Sequence, residues 1–277
     1  MRTVLLHGHI FKNAGTSFDW SLERNFGTGF LDHRDDKSIR QRRGRHLKEL
    51  LKADTELTVI SSHHMCLPPA NPEGVHFEKA YLLRHPIERI ASVYAFEREQ
   101  AADTPGARAA KVMDFTDYVS WRMEPKVART IRDYQSFYLA GLPVDERRKP
   151  LSDASYQAAL DNLNATACIG VVDRYDESMV VFEAALAQYF PDIDLAYIRQ
   201  NASRKLWRRE KNTAAKIDDV LSQLGELKDL VLANNSHDAS LYQMANDKLD
   251  QAITNVTGFD QHLSDFQRRC KALRKSG

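Results

Sequence analysis

Apolar residues fall in short runs separated by longer stretches of helical spacing. The runs Thr3-Val4-Leu5-Leu6-His7, Leu57-Thr58-Val59-Ile60, Ala80-Tyr81-Leu82-Leu83 and Cys168 to Val172 are too short for helices and rich in aliphatic or β-branched residues, which predicts buried strands. Between them, Phe18 to Arg24, Arg34 to Lys48, Phe115 to Leu139 and Ser178 to Tyr189 read as helices. Pro86 keeps His85 out of the α region, so another helix starts at Ile87. From Ala214 the pattern is helical to the end, with Ile217, Val220, Leu221, Leu224 and Leu227 on one face. Apolar strands alternating with helices predict an α/β fold: a mainly parallel central sheet flanked by helices on both faces, with a helical C-terminal part. No repeat, linker or break in composition interrupts the pattern, so residues 1–277 are read as a single domain.

Composition narrows the function. With 43% hydrophobic and 28% charged residues, the 277-residue chain can bury a sizeable core and is not a disordered tail. Its 39 Lys and Arg balance 38 Asp and Glu, a net charge of +1, so no overall field marks it for nucleic acid or for a membrane surface. Cys66, Cys168 and Cys270 are far apart and in no metal-ligand spacing, which fits a reducing compartment. No run approaches the ~18 apolar residues of a membrane span. The chain is expected in the cytoplasm.

The strand ends carry the chemistry, because open parallel sheets bind ligands beyond the carboxyl ends of their strands. After the first strand, Lys12-Asn13-Ala14-Gly15-Thr16-Ser17 is a loop of mostly small residues entering a helix N-terminus, which offers backbone N–H groups and a positive dipole end to a phosphate. Gly15 permits close approach, Thr16 and Ser17 add hydroxyls, and Lys12 adds a cation. An ordinary turn with Thr16 as N-cap is the plainer alternative. The loop is not G-x-x-x-x-G-K-[ST], and the third strand ends in Arg84 where a nucleoside triphosphatase needs a carboxylate for its metal, so no metal is expected. In Arg84-His85-Pro86-Ile87-Glu88-Arg89-Ile90-Ala91-Ser92-Val93-Tyr94, Arg84 and Ser92 can meet a second phosphate across the first turns of a helix, while Arg89 reads as a surface or salt-bridged residue.

At these two motifs, Phe11 to Ser17 and Arg84 to Tyr94, the sequence resembles the sulfotransferases that use 3′-phosphoadenosine 5′-phosphosulfate (PAPS), in their carbohydrate-type branch from the Golgi and from bacteria. Weaker similarity runs through Tyr134 to Gly141, Ile169 to Ser178 and Asp238 to Tyr242. Phe11 stands where that family has proline, and His85 where it has Asp or Asn. The resemblance implies a P-loop-NTPase-like sulfotransferase architecture in which Lys12, Asn13, Ala14, Gly15, Thr16 and Ser17 hold the 5′-phosphosulfate and Arg84 and Ser92 the 3′-phosphate. It also implies a basic loop closing over the nucleotide, here Asn201 to Lys205 with Trp207 to Arg209, including Ser203 and Arg204. The donor would be PAPS, the product 3′-phosphoadenosine 5′-phosphate (PAP), and the acceptor a hydroxyl of a carbohydrate or glycoconjugate, with an anionic glycan among the candidates.

Such a transfer needs a base for the acceptor proton, and Ser61-Ser62-His63-His64 ends the second strand. The family pattern points to His64 with His63 close behind, and strand alternation lets only one of them face the cleft. Lys12 would stabilise the leaving phosphate. Arg40, Arg42, Arg43, Arg45 and Lys48 form a basic patch suited to an anionic sugar. Phe115, Tyr118, Trp121, Tyr134, Phe137 and Tyr138, at helical spacing, are read mostly as core. A metal-dependent kinase and a non-catalytic nucleotide-binding protein are the competing readings.

Overall fold

In the computed structural model, which describes residues 1–65, 74–200 and 213–276, the apolar runs build an all-parallel sheet of five strands in the order β2-β3-β1-β4-β5. The chain runs β1 (Arg2–Gly8), α1 (Gly15–Phe26), β2 (Phe30–Asp32), α2 (Asp36–Arg42), α3 (Gly44–Ala53), β3 (Val59–Ser62), β4 (Val75–Leu83) and α4 (Pro86–Glu99). It continues through α5 (Pro105–Val112), α6 (Phe115–Met123), α7 (Tyr134–Leu139), α8 (Asp153–Asn164), β5 (Cys168–Val171) and α9 (Tyr175–Leu186). After the segment 201–212 come α10 (Thr213–Leu224), α11 (Lys228–Ala233), α12 (Ser236–Asn255) and α13 (Phe259–Ser276).

Alternation along the strands divides the core. Val4, Leu6, Ile60, Tyr81 and Leu83 pack with Tyr138 of α7 and with Leu241, Ala245 and Leu249 of α12. Leu5, Val59, Ala80 and Leu82 pack on the other face with Phe18 and Leu22 of α1, Phe182 of α9 and Phe266 of α13. Each such fully buried Leu or Phe contributes about 1.5–3 kcal/mol. The expected α/β architecture, with helices on both faces of a parallel sheet, is the one observed.

Several boundaries differ from the sequence pattern. β2 has no counterpart there: it is a three-residue edge strand, neither residue of its Phe30-Leu31 pair fully buried, so it carries no apolar run. β4 begins at Val75, ahead of the apolar run, because its first half is only partly covered and alternates with His76, Glu78 and Lys79. The helix expected over Arg34 to Lys48 is broken at Arg43, whose φ of 45° lies in the left-handed region. The stretch Phe115 to Leu139 is two helices, α6 and α7, joined by residues 124–133. Of the aromatics read as core, Tyr118, Tyr134, Phe137 and Tyr138 are buried. Cys168 and Cys270 are buried free thiols, and Cys66 lies outside the described residues. Among the described residues no helix is long and apolar enough to cross a membrane.

Candidate functional site

β1 lies at the centre of the sheet. From its carboxyl end the chain leaves to β2 at one edge, and later crosses back over β1 to β4, so β1 ends at the topological switch point where α/β sheets open a crevice. The loop after it adopts a strained form. Lys12 (φ 66°) and Ala14 (φ 60°, ψ 13°) are both left-handed without being glycine, which costs about 1–2 kcal/mol each. Helix α1 then starts at Gly15, with Ala14 as an N-cap that offers no side-chain acceptor and with no acidic residue in the first turn. Thr16 is therefore not the cap. A left-handed residue followed by a helical one turns successive N–H groups toward the same side, the concavity that holds anions. Among the described residues, the Gly15 and Thr16 amides have no carbonyl acceptor.

The side chains of the loop divide between outward and inward. Thr16 is exposed. Asn13 is buried, and its Nδ2 donates to the Leu82 carbonyl (2.8 Å) and to Gln135 Oε1 (2.6 Å), which ties the loop to the end of β4 and to α7. Ser17 is buried as well, and its Oγ accepts the Gln200 amide at 3.0 Å. The backbone amides, Thr16 and Lys12 are thus the groups of the loop left to meet a ligand, with Asn13 and Ser17 as its anchors. Lys12 lies over the Phe96 ring, 4.4 Å from Nζ to the centroid. Burial, and then the neighbouring Arg84 charge, push its ammonium pKa down to about 8. Arg84 leans against the loop, with Nη1 3.4 Å from the Lys12 carbonyl, and its main-chain N–H and C=O are both bonded to the Gln135 amide (2.9 Å each). Glu88 is 3.7 Å from Arg84 Nε, too far for a hydrogen bond. The structure brings Lys12 and Arg84 together as the sequence predicts. Ser92 lies two turns into α4, half-buried.

Both histidines after β3 line one cleft, with Arg43, Met65, Phe137, Tyr138 and Arg147 among its walls. Strand alternation does not separate them, because β3 has ended at Ser62 and His63 and His64 lie in the turn that follows; none of Lys12 to Ser17, Arg84 or Ser92 lines this cleft. His63 Nδ1 is 2.8 Å from the His9 carbonyl, so Nδ1 carries the proton and Nε2 the lone pair. Its ring lies 4.1 Å from that of His9 and 6.4 Å from that of Phe11. Burial, and secondarily the His9 ring, push the His63 pKa down to about 3. The His64 amide donates to Ser62 Oγ at 3.1 Å. Of the basic patch, Arg43 reaches the cleft and donates to the Gly141 carbonyl, and Arg42 pairs with Glu49. The Arg40 side chain is outside the described residues, as are Ser203, Arg204 and the rest of the basic loop at 201–212.

Two further features went unread in the sequence. Arg89 is 1% exposed, not on the surface: Nε donates to the Phe11 carbonyl (3.0 Å), Nη1 to the Thr130 carbonyl (2.8 Å), and the guanidinium lies 4.3 Å from the Tyr134 ring centroid. It pins the loop to α4 from behind. The second is a buried cluster in which Asp19 accepts hydrogen bonds from His7 Nδ1 and His9 Nδ1, one on each carboxylate oxygen, at 2.7 Å. Burial opposes its ionisation, but the His7 and His9 rings hold the Asp19 carboxyl well below the usual range, and burial pushes the His7 pKa down. These are also the described residues whose ligating atoms, within 4.8 Å of one another, could hold a metal. The available signal was positional: His7 and His9 are two apart at a strand end, hence on one face, and Asp19 lies one turn into the helix that covers it.

No family model matches the chain. An uncharacterized protein from Archaeoglobus fulgidus is 31% identical to it over 206 residues, 72% of this chain and 79% of the archaeal one. That likeness extends over most of both proteins, and the chain belongs to the same family as this archaeal protein.

Proposed function

We propose that the protein is a sulfotransferase that moves a sulfuryl group from PAPS to a hydroxyl of a carbohydrate or glycoconjugate, acting in the cytoplasm. The observation that carries this reading is the strained, uncapped loop at the switch point, with the Lys12 and Arg84 cations converging on it. A nucleotide of about four negative charges supplies what that arrangement lacks. The resemblance in motifs selects PAPS among such nucleotides. The end of β4, a cation where a metal-dependent phosphoryl transferase would need a carboxylate, favours sulfuryl over phosphoryl transfer.

In the transfer, the acceptor oxygen attacks sulfur in line as the bond from sulfur to the bridging oxygen breaks, which leaves PAP. The Gly15 and Thr16 amides hold the 5′-phosphosulfate, and Arg84 and Ser92 take the 3′-phosphate. Lys12 meets the charge that gathers on the departing phosphate. The acceptor proton goes to His63 Nε2, the lone pair left by the bond to the His9 carbonyl; this geometry favours His63 over His64. Arg43 and Arg147, in the same cleft, suit an anionic acceptor.

Incubation with labelled donor and a panel of glycans, phenols and lipids tests the reaction. The expected result is label on a glycan, with His63→Ala slower by about 10²–10⁴-fold and His64→Ala within about tenfold of wild type. The opposite order of the two variants would make His64 the base, and full turnover in both would remove histidine from the mechanism.

A further inference from the structure

Resting on the reading of the loop after β1 and of Arg84 as the sites of two phosphates, we infer that Gln135 is the residue that positions those sites against each other, so that a nucleotide carrying both phosphates meets one rigid template. Gln135 is fully buried in the first turn of α7 and acts through its neighbours. Its Oε1 accepts from Asn13 Nδ2 at 2.6 Å, and Asn13 directly follows Lys12 in the loop. The same oxygen accepts the Arg84 N–H while Nε2 donates to the Arg84 carbonyl, both at 2.9 Å, so the side-chain amide pairs with the main chain of Arg84 as a residue of a neighbouring strand would. A fourth bond, from Nε2 to Asp238 Oδ2 at 3.4 Å, fills the last of the four hydrogen-bonding places of the amide.

The link is held firmly at both ends. Asp238 of α12 is buried and accepts the Gln135 N–H (3.0 Å), the Ser136 N–H (2.7 Å) and the Ser136 hydroxyl (2.7 Å), which fixes the backbone and the side chain of Gln135 together. Asn13 Nδ2 also donates to the Leu82 carbonyl, and among the described residues Asn13 Oδ1 has no partner, so the bonds to Leu82 and Gln135 are what hold this side chain. A shift of the loop alone, or of Arg84 alone, would leave a buried donor or acceptor unpaired. The two therefore keep one register. A ligand with a single phosphate has little use for that register, because it can settle on either site. A ligand with two phosphates gains from the second contact only as far as the spacing of the sites matches its own. Gln135 thus sets the preference for PAP over nucleotides with one phosphate, and the alignment of the sulfuryl group for in-line attack.

Equilibrium binding of PAP, 5′-AMP and 3′-AMP to the wild type and to Gln135→Met, which keeps the volume without the amide, tests this, with sulfuryl transfer followed in parallel. The expected result is PAP weakened about tenfold or more and each monophosphate by less than about threefold, with transfer at saturating donor slower by about 10²-fold, as for a misplacement of about 1 Å. Asn13→Ala, which frees only the loop side, should lose part of the same preference for PAP. Because the two substitutions cut one link, their effects on PAP should combine to less than their product. Equal weakening of PAP and both monophosphates, or losses that multiply, would overturn the inference and leave the phosphate reading standing. Where Gln135→Met fails to fold, the preference measured in Asn13→Ala decides, an unchanged ratio overturning the inference. A wild type that binds none of the three nucleotides would overturn the phosphate reading and this inference with it.

Discussion

Lys12→Ala is expected to slow sulfuryl transfer by about 10²–10³-fold while the protein stays folded and still binds PAP, as the loss of a single group stabilising transition-state charge does elsewhere. Lysine is under strain here in two ways. Its backbone is left-handed, and its ammonium is pushed to about 8 by burial and by Arg84. A cation held in a place that disfavours it gains most when negative charge develops beside it. The same depression sets two pH dependences. Because the free enzyme needs the protonated lysine, kcat/KM should fall as pH rises through about 8, whereas kcat, measured with the anion bound, should persist to higher pH. For stability the sign is opposite. Between about 8 and the ~10.4 of an unperturbed lysine the unfolded chain holds the extra proton, so the contribution of Lys12 to stability should rise with pH across that interval, and the stability of the wild type relative to Lys12→Met should rise with it. Denaturant titrations of both proteins at several pH values decide this, and a stability difference between them that does not change with pH would show that Lys12 is ordinary.

The second large effect is on stability. Arg89→Ala removes the donors to the Phe11 and Thr130 carbonyls and opens a void beside Tyr134, with an expected cost of about 3–5 kcal/mol. Since Phe11 directly precedes the strained Lys12, the loss should also loosen the loop. Arg89→Lys keeps the charge without the fork that spans both carbonyls and should recover only part of the stability. Unfolding by urea, followed in parallel with PAP affinity, measures both consequences. A cost below about 1 kcal/mol for Arg89→Ala would mean that the loop is held by Asn13 and Gln135 alone.

What could be read from the sequence, and what could not, follows from the range of the interactions. β1, β3 and β5 and the second half of β4 are buried on both faces, so their residues announce themselves as apolar runs; β2 and the first half of β4 lie where cover is thin, and leave no such run. The loop after β1 and its closeness to Arg84 were legible because both lie at strand ends and are marked by small residues and cations at fixed places in the chain. Arg89 was not: on a helical wheel it is a polar residue, and its burial is decided by Tyr134 and Thr130, more than forty positions away. His9 and Asp19 were missed for a similar reason. Each is unremarkable alone, and only the docking of α1 on β1 joins them. The inward turn of Asn13 and Ser17 likewise depends on Gln135 and Gln200, which no local pattern reveals.

Under the proposed function the loop after β1 takes a nucleotide whose phosphates are met by protein amides and cations, and equilibrium binding of PAP against ATP, each with and without Mg²⁺, tests this most directly. The predicted result is micromolar or tighter binding of PAP that is indifferent to Mg²⁺ and chelator, with ATP much weaker. Tighter binding of Mg²⁺-ATP than of PAP would contradict it.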